Sequence, residues 1–590
     1  MDTRTTTTRA AGIIVLLIFI HSIVLAVTNP LGEAPDEPAH MEYVRFVVVN
    51  QRLPIQCTAP CVSEVDGEGH QPPLAYLLAA LVSAPFIEHT TWVPQAINPQ
   101  FLWRGGSDPQ ALVHGSREYW PWRGTILAWR LMRLVSVVLV SATAWLVYRL
   151  ALRMSTPATA LVAVLLLALT PQTAIIGSTM SNDALLGFLS TAILILVVDT
   201  RRIRDLLGVG ALLGLALLTK QSAILLLPAV VIAAFRMQRW SHRVLAGVLG
   251  VSVTVLVAGW WYLRNQMLYG DVFGLQLFNQ TFAGTRIDWQ QSASWSNAVV
   301  QLLRSAWGLY GWMTIPLPSI WYGIGTTVVL AGIIGVGLRL ARPPRLGMWW
   351  IWSTLLMSAT MGWLVVFAST VGAVAWQSRL LMVAMPLLVI VLAAGFTSGF
   401  GLIPSARQAI VIAAVALCCQ VSLWYGVVLP RVPMALPDPA TTAQPLALAR
   451  EAIFAAPGSA GGIALLDLDA PAGIAPGDTV DLTLRWQVYD RPMHDWQVFL
   501  IVRDVYKREY AQFLQPLLPG VPTSTWTPGD RLLTRHRIVI PSDLGENFYM
   551  IQIGLVDTNS PLRAQKRNNA LELTGDSIIL PFNVGNPTLP

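Results

Sequence analysis

Residues 11–27 read AGIIVLLIFIHSIVLAV, a run in which His21 is the only ionisable side chain. Most of the apolar runs in the chain reach the ~20 residues that an α-helix needs to cross ~30 Å of hydrocarbon. The sequence therefore predicts an all-α polytopic membrane domain with about eleven transmembrane helices. After the first run, the other apolar runs lie at residues 126–148, 158–177, 183–199, 206–219, 221–235, 244–263, 321–340, 347–369, 379–398 and 408–428.

The composition is typical of a chain whose surface largely faces lipid. Of its 590 residues, 54% are hydrophobic and 12% are charged, and the mean hydropathy is +0.55. Soluble globular domains carry about 25% charged residues. The formal net charge is +7, but many of the arginines lie in short loops between apolar runs. We therefore expect a lipid bilayer, and no nucleic acid, as the partner of this positive charge.

The distribution of arginine predicts the orientation of the helices. Short loops rich in Lys and Arg face the cytoplasm. Lys220 separates two short runs, which we take as two helices that meet at an external turn, because fusing them would place the later basic loops outside. If the N-terminus is cytoplasmic, every second loop is rich in arginine, among them those with Arg149 and Arg153, with Arg201, Arg202 and Arg204, and with Arg236, Arg239 and Arg243.

The first apolar run could instead belong to a cleaved signal peptide, because it follows Arg4 and Arg9. The sequence after Ala26 has no convincing small-x-small cleavage site. We therefore predict a retained first helix in the cell membrane and a cytoplasmic N-terminus. The loops 28–125 and 264–320 and the C-terminal region are then external.

The C-terminal residues have a different periodicity. Period two is the pattern of half-buried antiparallel strands, and Pro476-Gly477-Asp478 supplies a typical turn. We predict a membrane domain at 1–430, a Pro-, Ala- and Thr-rich linker at 431–449, and an external all-β sandwich at 450–590. The alternating apolar residues are Val480, Leu482, Leu484, Trp486 and Val488, then Val498, Leu500 and Val502, then Ile538 and Ile540, then Tyr549, Ile551, Ile553 and Leu555.

Ionisable residues cluster directly after the first apolar run, where residues 32–40 read GEAPDEPAH. Charged groups at the membrane boundary are costly unless they have a role. Pro38 suits the first turn of a helix with Asp36 near its N-cap, which would place His40 on the same side of that turn. A helix cap with a solvated acidic start is the alternative explanation of this pattern.

A second cluster, EGHQPPLAY at residues 68–76, opens an apolar stretch that ends near Pro85. This stretch is too short to span a bilayer and predicts a helix at the membrane interface. Cys57 and Cys61 precede it, and in an external loop they could form a disulfide. A metal site at this C-x-x-x-C pair lacks a second pair of ligands.

The order and sidedness of these motifs resemble the GT-C membrane glycosyltransferases, in particular protein O-mannosyltransferases and bacterial lipid A aminoarabinose transferases. The shared features are an acidic pair after the first helix and a polar-Pro-Pro-Leu motif that opens a juxtamembrane helix. Unlike protein O-mannosyltransferases, the chain has no soluble domain between two transmembrane halves. The resemblance covers about residues 10–400 and continues at Ser181-Asn182-Asp183-Ala184, Leu218-Thr219-Lys220-Gln221-Ser222, Arg264-Asn265-Gln266 and Gln377-Ser378-Arg379.

The resemblance implies transfer of a sugar from a polyprenyl-phosphate donor to an acceptor hydroxyl at the external membrane face. In that reaction Asp36 would be the general base, and Glu37 would assist it or orient the acceptor. Lys220, Arg379 and Arg264 would bind the donor phosphate.

Further residues would contact the acceptor or support the base, namely His40, Glu68, His70 and Asp183. No cofactor is certain from the sequence, and a divalent metal would be held by Asp36, Glu68 and His70. Structural explanations also exist, since Lys220 could be an interfacial lysine that reaches water and Asp183 could cap a helix.

Two functions of other classes remain alternatives. A transporter or flippase of lipid-linked saccharides would be expected to show charges in mid-span or repeated halves. A non-catalytic envelope protein would bind glycan or protein through the β-domain and would not need the clusters around Asp36 and Glu68. The acceptor, whether glycan, lipid or protein, cannot be read from the sequence.

The topology can be tested by labelling introduced cysteines in intact cells. We expect a membrane-impermeant maleimide to react with a cysteine near residue 500 but not with one near residue 240, because the arginine-rich loops face the cytoplasm. A variant without the native cysteines provides the background. The reverse labelling pattern would contradict the orientation.

Overall fold

The computed structural model describes most of the chain. The ranges are 3–57, 63–65, 67–87, 109–112, 114, 118–277, 292–341, 348–371, 376–432, 452–456, 462–471, 474–504, 508–545, 547–559, 562–567 and 573–584. The predicted linker 431–449 lies almost entirely outside the described residues. Cys61 also lies outside them. Cys57 is disulfide-bonded.

The chain divides into two compact units. The first comprises residues 1–92, 121–282 and 292–430, and the second comprises 93–120, 283–291 and 431–590. The domain boundaries inferred from the sequence stay a prediction.

The first unit is helical. Its helices are α1 (Thr3–Thr28), α2 (Glu37–Asn50), α3 (Leu74–Ser83), α4 (Gly124–Met154), α5 (Pro157–Leu169), α6 (Pro171–Ser178), α7 (Asn182–Asp199), α8 (Asp205–Leu217), α9 (Leu227–Phe235), α10 (Trp240–Tyr269), α11 (Ser292–Ala306), α12 (Ser319–Leu340), α13 (Met348–Val371), α14 (Met385–Ala394) and α15 (Ala406–Leu423). A two-stranded hairpin, β1 (Leu309–Tyr310) with β2 (Ile315–Pro316), lies between α11 and α12.

Within the described residues, six helical segments are long and apolar enough to cross a membrane. They are Arg4–Thr28, Gly124–Met154, Asn182–Asp199, Trp240–Tyr269, Ser319–Leu340 and Ala406–Arg431. The pair α5 and α6 would make a seventh span, bent by 65°. Pro171 at the start of α6 accounts for the break, since proline lacks the N–H that would continue α5.

Shorter apolar helices occupy the remaining predicted runs, including Asp205–Leu217, Gln221–Phe235 and Met385–Gly399. The prediction of a mostly helical membrane domain is confirmed, and the count of eleven spans stays a prediction. Small residues allow close packing between α8 and α10. A Cβ atom on Gly210 would lie 2.3 Å from the Gly250 carbonyl oxygen, so these helices approach along their backbones.

The helices between α1 and α4 pack on α4 and form a separate apolar core. The apolar stretch that ends near Pro85 is helical, as α3 followed by a short 3₁₀ turn, and its position at the membrane interface stays a prediction. The rings of Tyr43 in α2 and Tyr76 in α3 stack with centroids 3.9 Å apart. Both rings are fully buried, so this stacking contact holds α2 and α3 together in one apolar core.

The second unit contains the C-terminal strands, which form two antiparallel sheets. The strands are β3 (Ala452–Ala455), β4 (Ile463–Asp469), β5 (Thr479–Val488), β6 (Trp496–Asp504), β7 (Glu509–Pro516), β8 (Arg531–Val539), β9 (Asn547–Asp557), β10 (Gln565–Arg567), β11 (Leu573–Gly575) and β12 (Ser577–Val584). One sheet has the order β11-β10-β3-β4-β5-β8 and the other β12-β9-β6-β7.

The alternating apolar residues fill the core between these sheets. Leu482 and Leu484 of β5 are fully buried, as are Val498 of β6 and Ile551 of β9, and all four belong to one apolar cluster. Gly477, in the turn before β5, has φ 83°, which glycine adopts readily. The prediction of a C-terminal β-rich domain is confirmed, and the sheets fit a sandwich.

The β-domain has a self-contained core, so we expect residues 450–590 to fold as a separate fragment. The expressed fragment should give a strand-type circular dichroism spectrum and one cooperative thermal transition. The same fragment with Leu484→Asp, which buries a charge in the core, should lose the transition. A wild-type fragment without a transition would show that the domain needs the rest of the chain.

Candidate active site

Two arginines of α4 hold the segment that leads from α1 into α2. Nη1 of Arg133 donates to the Asn29 carbonyl over 2.7 Å, and its Nη2 donates to the Pro30 carbonyl over 2.9 Å. Arg130 donates to the same Asn29 carbonyl over 2.9 Å and also to Ala26. The last carbonyls of a helix lack partners within the helix. Here Arg130 and Arg133 of α4 supply the missing hydrogen-bond partners and so fix the path of the chain after α1.

Glu37 completes this anchor. Both carboxylate oxygens of Glu37 lie 2.7 Å from nitrogens of Arg133, and both side chains are fully buried. Glu37 also accepts from the backbone N–H groups of Gly32, over 3.1 Å, and Met180, over 2.9 Å. The carboxylate thus has four donors and ties the segment between α1 and α2 to α4 and to the turn before α7. This environment is that of a structural anchor rather than of a group facing substrate.

Asp36 precedes Glu37 but faces a different part of the protein. It occupies the N-cap position of α2 with φ 68° and ψ −9°, and its side chain makes no capping hydrogen bond. Aspartate is one of the few residues besides glycine that tolerate this left-handed conformation. The carboxylate forms an ion pair with Arg379 and is 40% exposed. The sequence correctly places Asp36 at the helix start, while the side chain is used for a contact other than capping.

Arg379 links Asp36 to a second buried ion pair. It lies in a 3₁₀ turn, Ser378–Leu381, where Nε donates to Gln377 over 2.6 Å. Its Nη1 is 3.9 Å from Oδ2 of Asp183, and Lys220 Nζ is 2.6 Å from Oδ1 of the same carboxylate. Opposite charges therefore alternate through four side chains, Asp36, Arg379, Asp183 and Lys220, which we term the four-charge cluster. Asp183, in the first turn of α7, is fully buried and acts as an ion partner.

His40 and Glu68 lie beside the four-charge cluster. His40 Nδ1 is 2.9 Å from the Tyr76 hydroxyl, which donates to Glu68 over 3.4 Å. Ligand atoms of Asp36, His40 and Glu68 all lie within 4.8 Å of one another. A histidine and two carboxylates are suitable ligands for a divalent cation such as Zn²⁺. The structure therefore groups His40 with Asp36 and Glu68 where the sequence suggested His70.

The ion pair with Arg379 distinguishes Asp36 from Glu68. Loss of hydration would by itself raise the pKa of Asp36, but the positive charge of Arg379 outweighs it and holds that pKa below its usual value. Burial raises the pKa of Glu68 to about 8, with a further contribution from the negative charge of Asp36. Burial lowers the pKa of His40 to about 4. At neutral pH, Asp36 is therefore charged while Glu68 and His40 are neutral.

His70 and Arg264 make other contacts. His70 Nδ1 lies 2.8 Å from the side-chain oxygen of Gln56. Arg264 donates to the Pro54 carbonyl over 2.7 Å, and its guanidinium carbon lies 4.8 Å from the ring centroid of Trp261. The Arg264 contact holds the loop at Pro54 against α10, and the His70 contact joins the same loop to the segment before α3. The structure thus gives both residues local contacts with residues 54–56.

A small cavity with a volume of about 40 Å³ is lined in part by Arg379. Its lining combines polar side chains with an apolar side formed by residues such as Tyr310 and Trp424. Such a mixture suits a ligand with hydroxyl groups and an apolar part. The polar residues that line the cavity are Asn29, Glu33, Gln172, Ser178, Thr179, Ser181, Ser305, Gln377 and Arg379.

Arg130, Arg133 and Tyr76 were not singled out from the sequence, although one signal was available. The two arginines lie within the apolar run 126–148, and a charge inside a membrane span has a specific partner or a role. That partner is Glu37, for which the sequence predicted a role in assisting Asp36 or orienting the acceptor. No comparable local signal identifies Tyr76, because its contact with His40 depends on the packing of α2 against α3.

Residues 128–262 match the family model described as dolichyl-phosphate-mannose-protein mannosyltransferase. None of the curated proteins matches the chain significantly. Among solved structures, the chain is similar to ArnT from Cupriavidus metallidurans bound to undecaprenyl phosphate, with 14% sequence identity and a TM-score of 0.39. That similarity covers 70% of this chain and 64% of that chain.

The apo state of the same ArnT is also similar, at 12% identity and a TM-score of 0.30, covering 74% of this chain and 89% of that chain. Both TM-scores are low, so neither similarity decides the fold or the function of this protein. The family match, in contrast, extends from α4 to α10 and includes Arg133, Asp183 and Lys220. The resemblance to the GT-C superfamily of membrane glycosyltransferases is therefore confirmed, and residues 128–262 carry it.

Proposed function

We propose that the protein is a glycosyltransferase that moves a sugar from a polyprenyl-phosphate donor to an acceptor hydroxyl at the external face of the cell membrane. One observation carries the proposal. A partly exposed carboxylate, Asp36, is ion-paired with Arg379, which lines a cavity with polar and apolar sides and lies 3.9 Å from Asp183, the ion partner of Lys220. The proposal includes the GT-C arrangement of about eleven spans, a cytoplasmic N-terminus and an external β-domain at 450–590.

The reaction needs a base and a stabilised leaving group. In the proposed step, the acceptor oxygen forms a bond to the anomeric carbon of the sugar while its proton passes to Asp36. The bond between that carbon and the donor phosphate oxygen breaks, and the electron pair leaves with the phosphate. Arg379 and Lys220 would stabilise the negative charge that develops on this oxygen. Arg379 suits this role because its planar guanidinium can hold two phosphate oxygens at once.

The neighbouring groups have supporting roles in this proposal. Asp183 positions Lys220 and Arg379, and Glu37 positions the backbone of Asp36 through Arg133. Neutral Glu68 would donate a hydrogen bond to the acceptor or to Asp36. A divalent metal, if the enzyme uses one, would be held by Asp36, His40 and Glu68, and would supply positive charge to the same phosphate. The proposal leaves open whether the acceptor is a glycan, a lipid or a protein.

Replacing the proposed base should reduce turnover strongly. Asp36→Asn keeps the shape of the side chain and tolerates the left-handed backbone but cannot accept the proton. Consumption of labelled polyprenyl-phosphate sugars by membranes should fall by about 10²–10⁴-fold. Glu64→Gln, which removes a carboxylate from an exposed ion pair with Arg52 in the same loop, should leave turnover unchanged. Full activity of Asp36→Asn would exclude it as the base.

Replacing a proposed phosphate ligand should affect donor binding instead. Arg379→Ala removes a charge-assisted hydrogen bond, so donor affinity should fall by about 1.5–3 kcal/mol. Equilibrium binding of a labelled polyprenyl-phosphate sugar to the purified protein measures this change. Arg52→Ala, which removes the exposed arginine of the same control pair, should bind the donor like the wild type.

The anchor role of Glu37 predicts a stability effect. Glu37→Gln would leave the fully buried Arg133 without a counter-charge, so the protein should lose about 3–5 kcal/mol of stability. A lower melting temperature in detergent would report this loss. Glu42→Gln in α2 is the matched control, because its pair with Arg45 is partly exposed and contributes about 0.5 kcal/mol or less. Similar effects of the two substitutions would contradict the anchor role.

A further inference from the structure

Arg379 already holds an anionic group at the place where the donor phosphate is expected. Its guanidinium is 13% exposed, lines the cavity and forms an ion pair with Asp36. The proposed base and the proposed phosphate ligand are thus bound to each other. While this ion pair persists, the Asp36 carboxylate is occupied, and the positive charge beside it makes it a weaker base.

The charges of the site make simultaneous binding of both anions to Arg379 unfavourable. Arg379 and Lys220 carry two positive charges, and Asp36 and Asp183 carry two negative charges, so the four-charge cluster is neutral without a ligand. A donor phosphate at Arg379 would add negative charge beside both carboxylates, of which Asp183 is buried. Repulsion between like charges is strong where the effective dielectric constant is low. One carboxylate must therefore move away or be neutralised when phosphate binds.

Asp36 is the carboxylate that can move. Asp183 is only 1% exposed and is held by Lys220 at 2.6 Å. Asp36 is 40% exposed, makes no capping bond to α2 and has Arg379 as its ion partner in the described residues. Its backbone, in contrast, is fixed by the neighbouring Glu37 and Arg133. A change of side-chain rotamer can therefore release Asp36 from Arg379 without a movement of the loop.

We propose that the donor phosphate and Asp36 compete for Arg379, so that donor binding displaces the Asp36 carboxylate and makes it available to the acceptor hydroxyl. This inference rests on the proposed function and adds a regulation of the same site. Without donor, the base is held by Arg379. With donor, the guanidinium binds phosphate, and the freed carboxylate accepts the proton of the acceptor. The arrangement couples the two substrates and disfavours activation of a hydroxyl when no sugar is present.

Competition between phosphate and Asp36 for Arg379 predicts a different phosphate affinity from that expected if Asp36 acts only as a base. If Asp36 only served the acceptor, Asp36→Asn would leave phosphate binding unchanged. If Asp36 competes with phosphate, its removal leaves Arg379 without an ion partner and should tighten phosphate binding by at least about tenfold. The measurement uses full-length protein in nanodiscs and the dissociation constant of labelled decaprenyl phosphate, which contains the phosphate but no sugar.

Three further variants accompany the measurement. Asp36→Gly also tolerates positive φ and should tighten binding like Asp36→Asn, which guards against an effect specific to one side chain. Arg379→Gln should weaken binding at least about tenfold, because the shared cation is lost. Glu64→Gln removes one negative charge from the same outer loop at an exposed pair and should bind like the wild type.

The outcomes distinguish failure of the competition from failure of the proposed function. Unchanged or weaker binding by both Asp36 variants, with weaker binding by Arg379→Gln, would overturn the competition and leave the phosphate ligand of the proposed function in place. Tighter binding by the Asp36 variants together with unchanged binding by Arg379→Gln would also overturn it, because Arg379 would not be the shared cation. Failure of wild type and all variants to bind would overturn the donor class in the proposed function, and the competition with it.

Discussion

The buried ion pair between Glu37 and Arg133 is the contact on which the candidate site depends. Removing two charges from water is expensive, and a buried pair becomes tolerable only when further hydrogen bonds satisfy both partners. Arg133 meets this condition with the carbonyls of Asn29 and Pro30, and Glu37 meets it with the N–H groups of Gly32 and Met180. One pair thereby joins the end of α1, the start of α2, the middle of α4 and the turn before α7. Asp36 and Asp183 take their positions from segments that this pair connects.

The left-handed backbone at Asp36 explains why two adjacent carboxylates have different environments. A residue with φ 68° reverses the local direction of the chain, so consecutive side chains need not lie on one helical face. The Glu37 side chain pairs with Arg133 and is fully buried, whereas the Asp36 side chain pairs with Arg379 and remains partly exposed. Sparsely populated backbone conformations persist only where their surroundings fix them, and they occur often at functional sites. Here the ion pair between Arg133 and Glu37, the residue after Asp36, fixes the neighbouring backbone.

The sequence predicts those parts of the structure that depend on local period. Apolar runs of about 20 residues predicted the long helices, and the alternation at Val480–Val488 predicted the fully buried face of β5. It could not choose between His40 and His70 as neighbour of Glu68, because that choice depends on how α2 packs against α3. For the same reason it grouped Arg264 with Arg379, although Arg264 binds Pro54 and lies over Trp261. Contacts between segments distant in sequence have no periodic signature.

The arginines inside α4 bear on the transport alternative, because charges within membrane spans often mark the path of a transported ion or substrate. Arg130 and Arg133 are both bound to backbone carbonyls, and Arg133 also has a carboxylate partner of its own. Carbonyls at a helix end cannot move independently of the helix, so these charges are fixed rather than exchangeable. Asp36, by contrast, is partly exposed at the start of α2, and its ion partner Arg379 lines the cavity. The cations Arg379 and Lys220 with one partly exposed carboxylate suit the proposed proton transfer at a bound phosphate better than they suit a path through the membrane.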